Sequence, residues 1–250
     1  MAGRTEGGDT ARRALRLLEA VAASGVPVSL PDLAGSAGLT KSTAYRLVRV
    51  LQEESYLTHH DLGGYTIGSA LTALSAAVMP RADLYAAARP VLRELADLSG
   101  ETATLHVRAG DEAVLVLGAE SDYELRRAAR LGSTTPLHRG ASGRAILAHL
   151  PPDEITAVLS RADRSDTAQE TLDGLATIRS QGFALSTGAN HPGLRGIAVP
   201  VLSPEGHPVA SAAVSGPADR WTAERAVAFS ATLAERCRPL VLVSASPARV

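Results

Sequence analysis

Cysteine and long apolar runs are nearly absent from this chain of 250 residues. Its one cysteine, Cys237, excludes an internal disulfide and a cysteine-based metal cluster within one chain, and it fits a reducing compartment. No stretch approaches the roughly 20 apolar residues of a membrane helix, and the segment before Thr10 lacks the apolar part of a secretory signal. We therefore expect a cytoplasmic protein that makes no membrane contact.

An overall excess of charge is also missing. The 25 basic and 26 acidic residues nearly cancel, so no chain-wide basic field points to nucleic acid. Residues 1–50 nevertheless carry seven cations against four acids. Any surface for nucleic acid is therefore expected to be local and N-terminal. The length and the 45% apolar content favour two domains over one.

Three helices are predicted in the first fifty residues. The first begins at Thr10, where apolar residues start to recur at helical spacing. Ser29 and Asp32 resemble a capping box that begins a short second helix, which ends at Gly38. Thr40 caps the third helix. The inward stripe of this third helix is formed by Ala44, Leu47, Val48 and Leu51.

The outward face of the third helix carries hydroxyl groups and cations. Such a helix, preceded by a short helix and a glycine-containing turn, is what reading the major groove of DNA requires. Residues 56–59 and 65–67 flank a Gly-Gly turn and predict a hairpin wing. A three-helix domain with an ordinary solvated face is the alternative. The predicted DNA-binding residues are Thr40, Lys41, Ser42, Thr43, Tyr45, Arg46 and Arg49.

A linker helix is predicted over residues 69–82, after a winged helix-turn-helix domain at 1–68. Leu71, Leu74 and Val78 form a narrow apolar seam that suits a partner helix. Pairing of two subunits through this seam would let two recognition helices reach successive major grooves. Packing of the seam against the rest of its own chain is the alternative.

The remaining domain, at 83–250, alternates blocks of strands with helices. This order predicts an α+β fold with a mainly antiparallel sheet. The predictions include a strand at 125–131, a helix begun by a capping box at Thr167 and Glu170, and a last helix from Thr222 to about Pro239.

An enzymatic reading rests on residues 140–143, Gly-Ala-Ser-Gly, which nearly match a nucleophile elbow. The motif fails because its second glycine, Gly143, stands one position too early and Arg144 occupies the place where that glycine should be. The histidines are scattered, and Cys237 is flanked by apolar residues at helical spacing, as in a core. We therefore predict no enzyme, no catalytic or metal site and no cofactor. A DNA-binding scaffold without a ligand is a third class.

Several separated motifs occur in one order along the chain. They are STAYRL at 42–47, YTIG at 65–68, LH at 137–138 with ASGRA at 141–145, GIAVPV at 196–201 and VSGP at 214–217. In this order they resemble the IclR family of bacterial transcriptional regulators across nearly the whole chain.

The resemblance implies a winged helix-turn-helix, a linker helix and a GAF-like effector domain, assembled as a homodimer or a dimer of dimers. It implies a double-stranded DNA operator and a small-molecule effector that often bears a carboxylate. Repression is expected rather than activation, because a regulator bound across a promoter blocks polymerase without further contacts. The effector-binding residues that the resemblance implies are Ala141, Ser142, Leu194, Gly196, Ala213 and Ser215.

Two positions depart from the family pattern. Many members have a glutamate just before the Pro-Gly that precedes the central strand, where this chain has His191. Ala213 stands where some relatives have a hydroxyl-bearing residue. The effector is therefore expected to differ from those of many relatives.

Overall fold

The computed structural model describes residues 6–61, 63–78, 82–162 and 168–243. Its internal contacts divide the chain into two compact units, Met1–Pro80 and Arg81–Val250. We call them the N-terminal and the C-terminal unit. In the described ranges, no helix is both long enough and apolar enough to span a membrane.

The N-terminal unit contains three helices, a hairpin and a fourth helix. The bounds are α1 (Glu6–Ser24), α2 (Leu30–Ser36), α3 (Lys41–Glu53), β1 (Leu57–His59), β2 (Tyr65–Ile67) and α4 (Ser69–Val78). The predicted winged helix-turn-helix and the helix that follows it are thus present. Their shared core is built from Leu17, Val21, Leu33, Val48, Leu51 and Leu57.

Two of the predicted helix starts are confirmed by their hydrogen bonds. The Ser29 hydroxyl accepts from the Asp32 N–H at 3.3 Å, and the Thr40 hydroxyl accepts from the Thr43 N–H at 3.3 Å. The predicted start of the first helix at Thr10 is wrong. Helix α1 begins earlier and contains Thr10, because the Asp9 carboxylate is favoured near the helix N-terminus.

The hairpin wing is attached to the helices at both ends. Backbone bonds of 3.0 and 2.8 Å join Val28, before α2, to Tyr65 in β2. Gly68 follows β2 and donates its N–H to the Tyr56 carbonyl at 2.9 Å. A side chain at Gly68 would collide with the Ser55 carbonyl, so the wing returns to the end of α3 at a distance that only glycine permits.

The C-terminal unit is a six-stranded sheet with helices on both faces. All neighbouring strands are antiparallel, in the order β5-β4-β3-β8-β7-β6. The strands are β3 (Thr102–Ala109), β4 (Glu112–Ala119), β5 (Thr134–Pro136), β6 (Ala184–Thr187), β7 (Leu194–Leu202) and β8 (Pro208–Pro217). The helices are α5 (Ala82–Ser99), α6 (Gly140–Leu147), α7 (Pro152–Arg161), α8 (Ala168–Gln181), α9 (Ala223–Ala228) and α10 (Ser230–Val243).

Each face of the sheet has its own hydrophobic core. Helices α5, α9 and α10 pack on one face, and Cys237 of α10 is buried there among leucines and Trp221. Helices α6, α7 and α8 cover the other face, where Ala184, Ala198 and Ala213 supply small side chains from three adjacent strands. The predicted α+β class, with a winged helix-turn-helix and an antiparallel sheet, is confirmed.

Two predictions in this unit differ from the structure, and a third lies outside the described residues. The strand at 125–131 is wrong: the Glu120 carboxylate accepts hydrogen bonds from Arg126 and from the Ala129 N–H, which folds this segment into an irregular loop. The predicted last helix is two helices that part at Phe229. Thr167, the predicted cap of α8, lies outside the described residues.

Candidate nucleic-acid interface and ligand cavity

Helix α3 has one buried face and one exposed polar face. Ala44, Val48 and Leu51 are buried in the core of the N-terminal unit. The predicted DNA-binding residues lie together around the opposite face, with Thr40 at the cap and Thr43 half-buried behind it. The exposed ones are Thr40, Lys41, Ser42, Tyr45, Arg46 and Arg49.

The two arginines of this face differ in their surroundings. Arg49 Nε lies 3.0 Å from Glu53 Oε1, one helical turn further along. Arg46 has no ion pair with any residue that the structure describes. The first turn of α3 contains no acid. The guanidinium of Arg46 and the N–H groups that precede Thr43 at the start of α3 are therefore both available to an anion such as a DNA phosphate.

The C-terminal unit contains a cavity of about 480 Å³ above the sheet. It lies beside the start of α6 and is bordered by two loops, 120–133 and 188–193. Of the predicted effector-binding residues, Ala213 is not among the lining residues, because it is packed in the core beneath. The others do line the cavity: Ala141, Ser142, Leu194, Gly196 and Ser215.

The sheet side of the cavity is kept open by small residues. Gly196 of β7 pairs with Ser215 of β8. A Cβ atom at Gly196 would lie 2.7 Å from the Ser215 hydroxyl oxygen, too close for two unbonded heavy atoms. The backbone of β7 therefore forms part of the cavity surface, and a ligand can approach it closely.

The start of α6 provides N–H groups with no side-chain cap. Arg139 occupies the capping position, and its side chain makes no cap hydrogen bond. Instead it donates to the Ala189 carbonyl at 3.0 Å, which joins α6 to the loop 188–193. Asn190 of that loop lies over Gly140. An uncapped helix start beside a cavity is suited to bind a carboxylate.

Sequence reasoning missed a group of basic residues that also line the cavity, which we call the basic wall. Arg126, Arg127 and Arg130 line the cavity from the irregular loop, and His106 lines it from β3. No aspartate or glutamate occurs among the described residues that line the cavity. The close spacing of three arginines at 126–130 was a signal for a basic surface, but the predicted strand placed them on a sheet instead.

His106 is a neutral histidine within this wall. Its side chain is 5% exposed, and its Nδ1 atom has no hydrogen-bond partner. Burial, and then the nearby charge of Arg127, lower the pKa of His106 from 6.5 to about 3. The imidazole is therefore uncharged at neutral pH and offers a hydrogen bond rather than a charge.

We expect this histidine to make the fold less stable in mild acid. Between pH 6.5 and 3 the unfolded chain binds a proton at His106 that the folded chain does not, so the free energy of unfolding falls by about 1.4 kcal/mol for each pH unit lost. Urea unfolding at pH 7, 6 and 5 should show a flatter dependence for His106→Gln than for the unchanged protein. The burial-lowered pKa of His149 contributes equally to both. If the free energy of unfolding falls equally with pH in both proteins, the lowered pKa of His106 is contradicted.

The N-terminal unit defines a class of protein. A short helix, a turn, an exposed polar third helix and a hairpin wing are the parts of a winged helix-turn-helix DNA-binding protein.

Comparisons with known proteins narrow this class. Residues 10–61 match the IclR helix-turn-helix domain, and residues 76–240 match the C-terminal domain of the bacterial transcriptional regulator IclR. The chain is 29% identical over 240 residues to the transcriptional repressor IclR of Escherichia coli strain K12, covering 92% of this chain and 88% of that one. It is 31% identical over 228 residues to the repressor AllR of Salmonella paratyphi A, covering 88% and 84%.

A solved structure agrees with these sequence matches. The IclR protein of Thermotoga maritima superposes with a TM-score of 0.72 at 25% identity, covering 94% of this chain and 98% of that one. The chain belongs to the IclR family of bacterial transcriptional regulators. It is a DNA-binding regulator and not an enzyme, and the resemblance seen in the sequence motifs is confirmed.

Proposed function

We propose that this chain is a repressor that binds a double-stranded operator and changes its affinity when a small acidic effector occupies the cavity of the C-terminal unit. The observation that carries the proposal is the exposed polar face of α3, held by a buried apolar stripe. Repressor is also what the names of both sequence relatives state.

The DNA-binding half of the proposal rests on α3 and the wing. A helix that enters the major groove places its N-terminal residues against base edges, and α3 presents Lys41, Ser42 and Arg46 there. Arginine binds the guanine edge through two hydrogen bonds, which gives Arg46 a means to recognise sequence. The hairpin β1–β2 lies beside this helix and supplies the second contact element.

Assembly as a homodimer, or as a dimer of dimers, fits the exposed apolar side of α4. Leu74 is 48% exposed and Leu71 is half-buried within the N-terminal unit. The side chain of Val78, the third residue of the predicted seam, lies outside the described residues. Two subunits joined here would present two α3 helices to an operator with inverted-repeat symmetry, roughly 34 Å apart.

The effector half of the proposal rests on the cavity. Its volume suits a small metabolite, and the uncapped start of α6 with Ser142 and Ser215 offers hydrogen bonds to a carboxylate. An effector that binds two states of the dimer unequally shifts the equilibrium between them and so changes the spacing of the DNA-binding units.

The test is a binding experiment with the purified full chain. A thermal-shift screen against small carboxylates, aromatic acids and lactones should identify compounds that raise the melting temperature, since a ligand of the folded state stabilises it. We expect the same compounds to change the affinity for a fragment taken from upstream of the chain's own gene, measured by fluorescence anisotropy. A fragment of equal length from within a coding region is the control.

Three outcomes would count against parts of the proposal. Failure to bind any fragment from the genomic neighbourhood contradicts the operator-binding function. If none of the stabilising compounds alters the affinity for DNA, the chain is a DNA-binding scaffold without an effector. Stronger transcription from the bound promoter in a reconstituted assay contradicts repression and indicates activation.

A further inference from the structure

The basic wall of the cavity contains a guanidinium without a partner. Arg127 is half-buried, its Nη1 atom is buried, and no hydrogen-bond acceptor meets that atom. Burial lowers the pKa of Arg127, yet an arginine remains charged at neutral pH. A buried charge without a counter-charge is costly, and an acidic group in the cavity would offset that cost.

Arg127 is fixed in place rather than carried on a free loop. The Thr102 hydroxyl in β3 donates to the Arg127 carbonyl at 2.7 Å. The same hydroxyl oxygen accepts from the Ser121 N–H at 3.2 Å, which ties down the start of the loop as well. The backbone of Arg127 is therefore fixed beside the start of β3, and such support is what a binding residue needs.

Two other arginines that line the cavity are already engaged, and Arg130 of the wall is exposed to solvent. Arg126 pairs with the Glu120 carboxylate at 2.7 Å. Arg195 donates to the carbonyls of Ala218 and Trp221 at 3.0 and 2.8 Å. Both guanidinium groups therefore have hydrogen-bond partners within the protein, whereas Arg127 has no acid beside it in the described structure.

The sheet beneath Arg127 carries more unpartnered polar atoms. Thr104 Oγ1, His106 Nδ1 and Ser211 Oγ are all buried and lack hydrogen-bond partners. Thr104 and His106 alternate on β3, and His106 pairs with Ser211 on β8, so the three lie on the face that borders the cavity. Of these three residues His106 lines the cavity, as Arg127 does, so an unpaired polar atom and the unpaired cation border the same space.

The uncapped start of α6 borders the same cavity through Ala141 and Ser142. If the proposed function is right, this helix start holds the carboxylate of the effector. We infer that the effector carries two acidic groups, one bound at the start of α6 and the second bound by Arg127 beside His106. The ligand class is a short-chain dicarboxylate, and Arg127 is the residue that distinguishes it from a monocarboxylate.

The experiment compares matched acids on the full-length protein by isothermal titration calorimetry. Succinate, glutarate and adipate are each paired with the monocarboxylate of equal carbon number: butyrate, valerate and hexanoate. The best diacid should bind at least about tenfold more tightly than its partner, since a hydrogen-bonded charge contributes that much. Arg127→Gln should abolish this preference while leaving the monocarboxylate affinity unchanged.

Two further variants separate binding from folding. Arg127→Lys keeps the charge and should retain part of the preference. Arg161→Gln removes a cation that pairs with Asp111 on the surface, outside the cavity, and should retain all of it. Melting temperatures without ligand establish that each variant folds.

Every other pattern overturns the inference. Equal affinity for diacids and monoacids rules out the second acidic group, and a preference that survives in Arg127→Gln rules out Arg127 as the residue that binds it. If Arg127→Gln binds neither diacids nor monoacids, Arg127 binds the one carboxylate that both classes of acid share. Failure of the unchanged protein to bind either class refutes the proposed effector site as well, which distinguishes the two failures.

Discussion

Replacing Arg46 by alanine is expected to weaken operator binding about 100-fold. Each bidentate arginine contact with a guanine contributes about 1–3 kcal/mol, and a dimer loses the contact twice. Arg46 is exposed on the polar face of α3 and is free of any ion pair with a described residue, so its guanidinium meets DNA without first breaking a bond. Fluorescence anisotropy at one fixed salt concentration measures the change.

The same variant also separates base reading from phosphate contact. If Arg46 reads a base, the loss is large on the operator and small on unrelated duplexes, and base preference relaxes at one position per half-site. If it contacts phosphate, affinity falls equally on all sequences and the salt dependence becomes shallower. Unchanged operator binding would remove Arg46 from the interface altogether.

Arg49→Ala and Arg161→Ala give a graded comparison for this experiment. Arg49 lies on the same helix face but pairs with Glu53, so part of its charge is already neutralised and a smaller loss is expected. Arg161 belongs to the C-terminal unit and pairs with Asp111. Its replacement should leave operator affinity unchanged.

The DNA-binding helix could be predicted from sequence because its signals are local. Thr40 accepts a bond from a residue three positions away, and the apolar stripe is complete within one segment. The hairpin wing is equally local, since the paired residues of β1 and β2 are separated by one short turn. Such short-range patterns need no knowledge of the rest of the fold.

The basic wall could not be predicted, because distant residues define it. Arg127 is positioned by Thr102, which is 25 residues away, and Glu120 folds the intervening loop. A strand was predicted at 125–131, but these tertiary bonds fold the segment into a loop, and β5 occupies the sheet edge instead. The remaining positions around the cavity were inferred from family resemblance, which is weakest where this chain departs from its relatives.

A position on the lining face of a strand is also not sufficient for contact with a ligand. Ala213 and Ser215 alternate on β8 and therefore share one face of the sheet. Ser215 reaches the cavity, whereas Ala213 is covered by the small side chains of the core under α6. Where α6 crosses the sheet decides which of the two is open, and that crossing is not encoded locally.

Replacing Arg220 by methionine is expected to lower the free energy of unfolding of the C-terminal unit by about 3 kcal/mol. Both carboxylate oxygens of Glu101 accept from this arginine, at 2.6 and 2.9 Å, and Glu101 is fully buried. Without Arg220 the carboxylate remains buried with no counter-charge. This expected loss lies at the lower end of the range for breaking a buried ion pair. Water reaches part of the Arg220 site, where the side chain is 28% exposed.

The ion pair of Glu101 and Arg220 lies where several chain segments meet. Its loss should therefore destabilise the whole C-terminal unit. Glu101 lies between the end of α5 and the start of β3, and its carboxylate packs against Gly216 near the end of β8. The Arg220 guanidinium lies 4.4 Å from the centre of the Tyr123 ring, in the loop that carries the basic wall. The ion pair therefore joins the central strands to that loop.

Urea unfolding at pH 7, followed by circular dichroism, measures the effect. Arg236→Met is the matched control: its partner Glu94 is exposed, so less than about 1 kcal/mol should be lost. The double variant Glu101→Gln with Arg220→Met should recover part of the stability, because a neutral side chain costs less to bury than an unpaired carboxylate. A loss from Arg220→Met no greater than that from Arg236→Met would show that Glu101 is not held as a charge inside this fold.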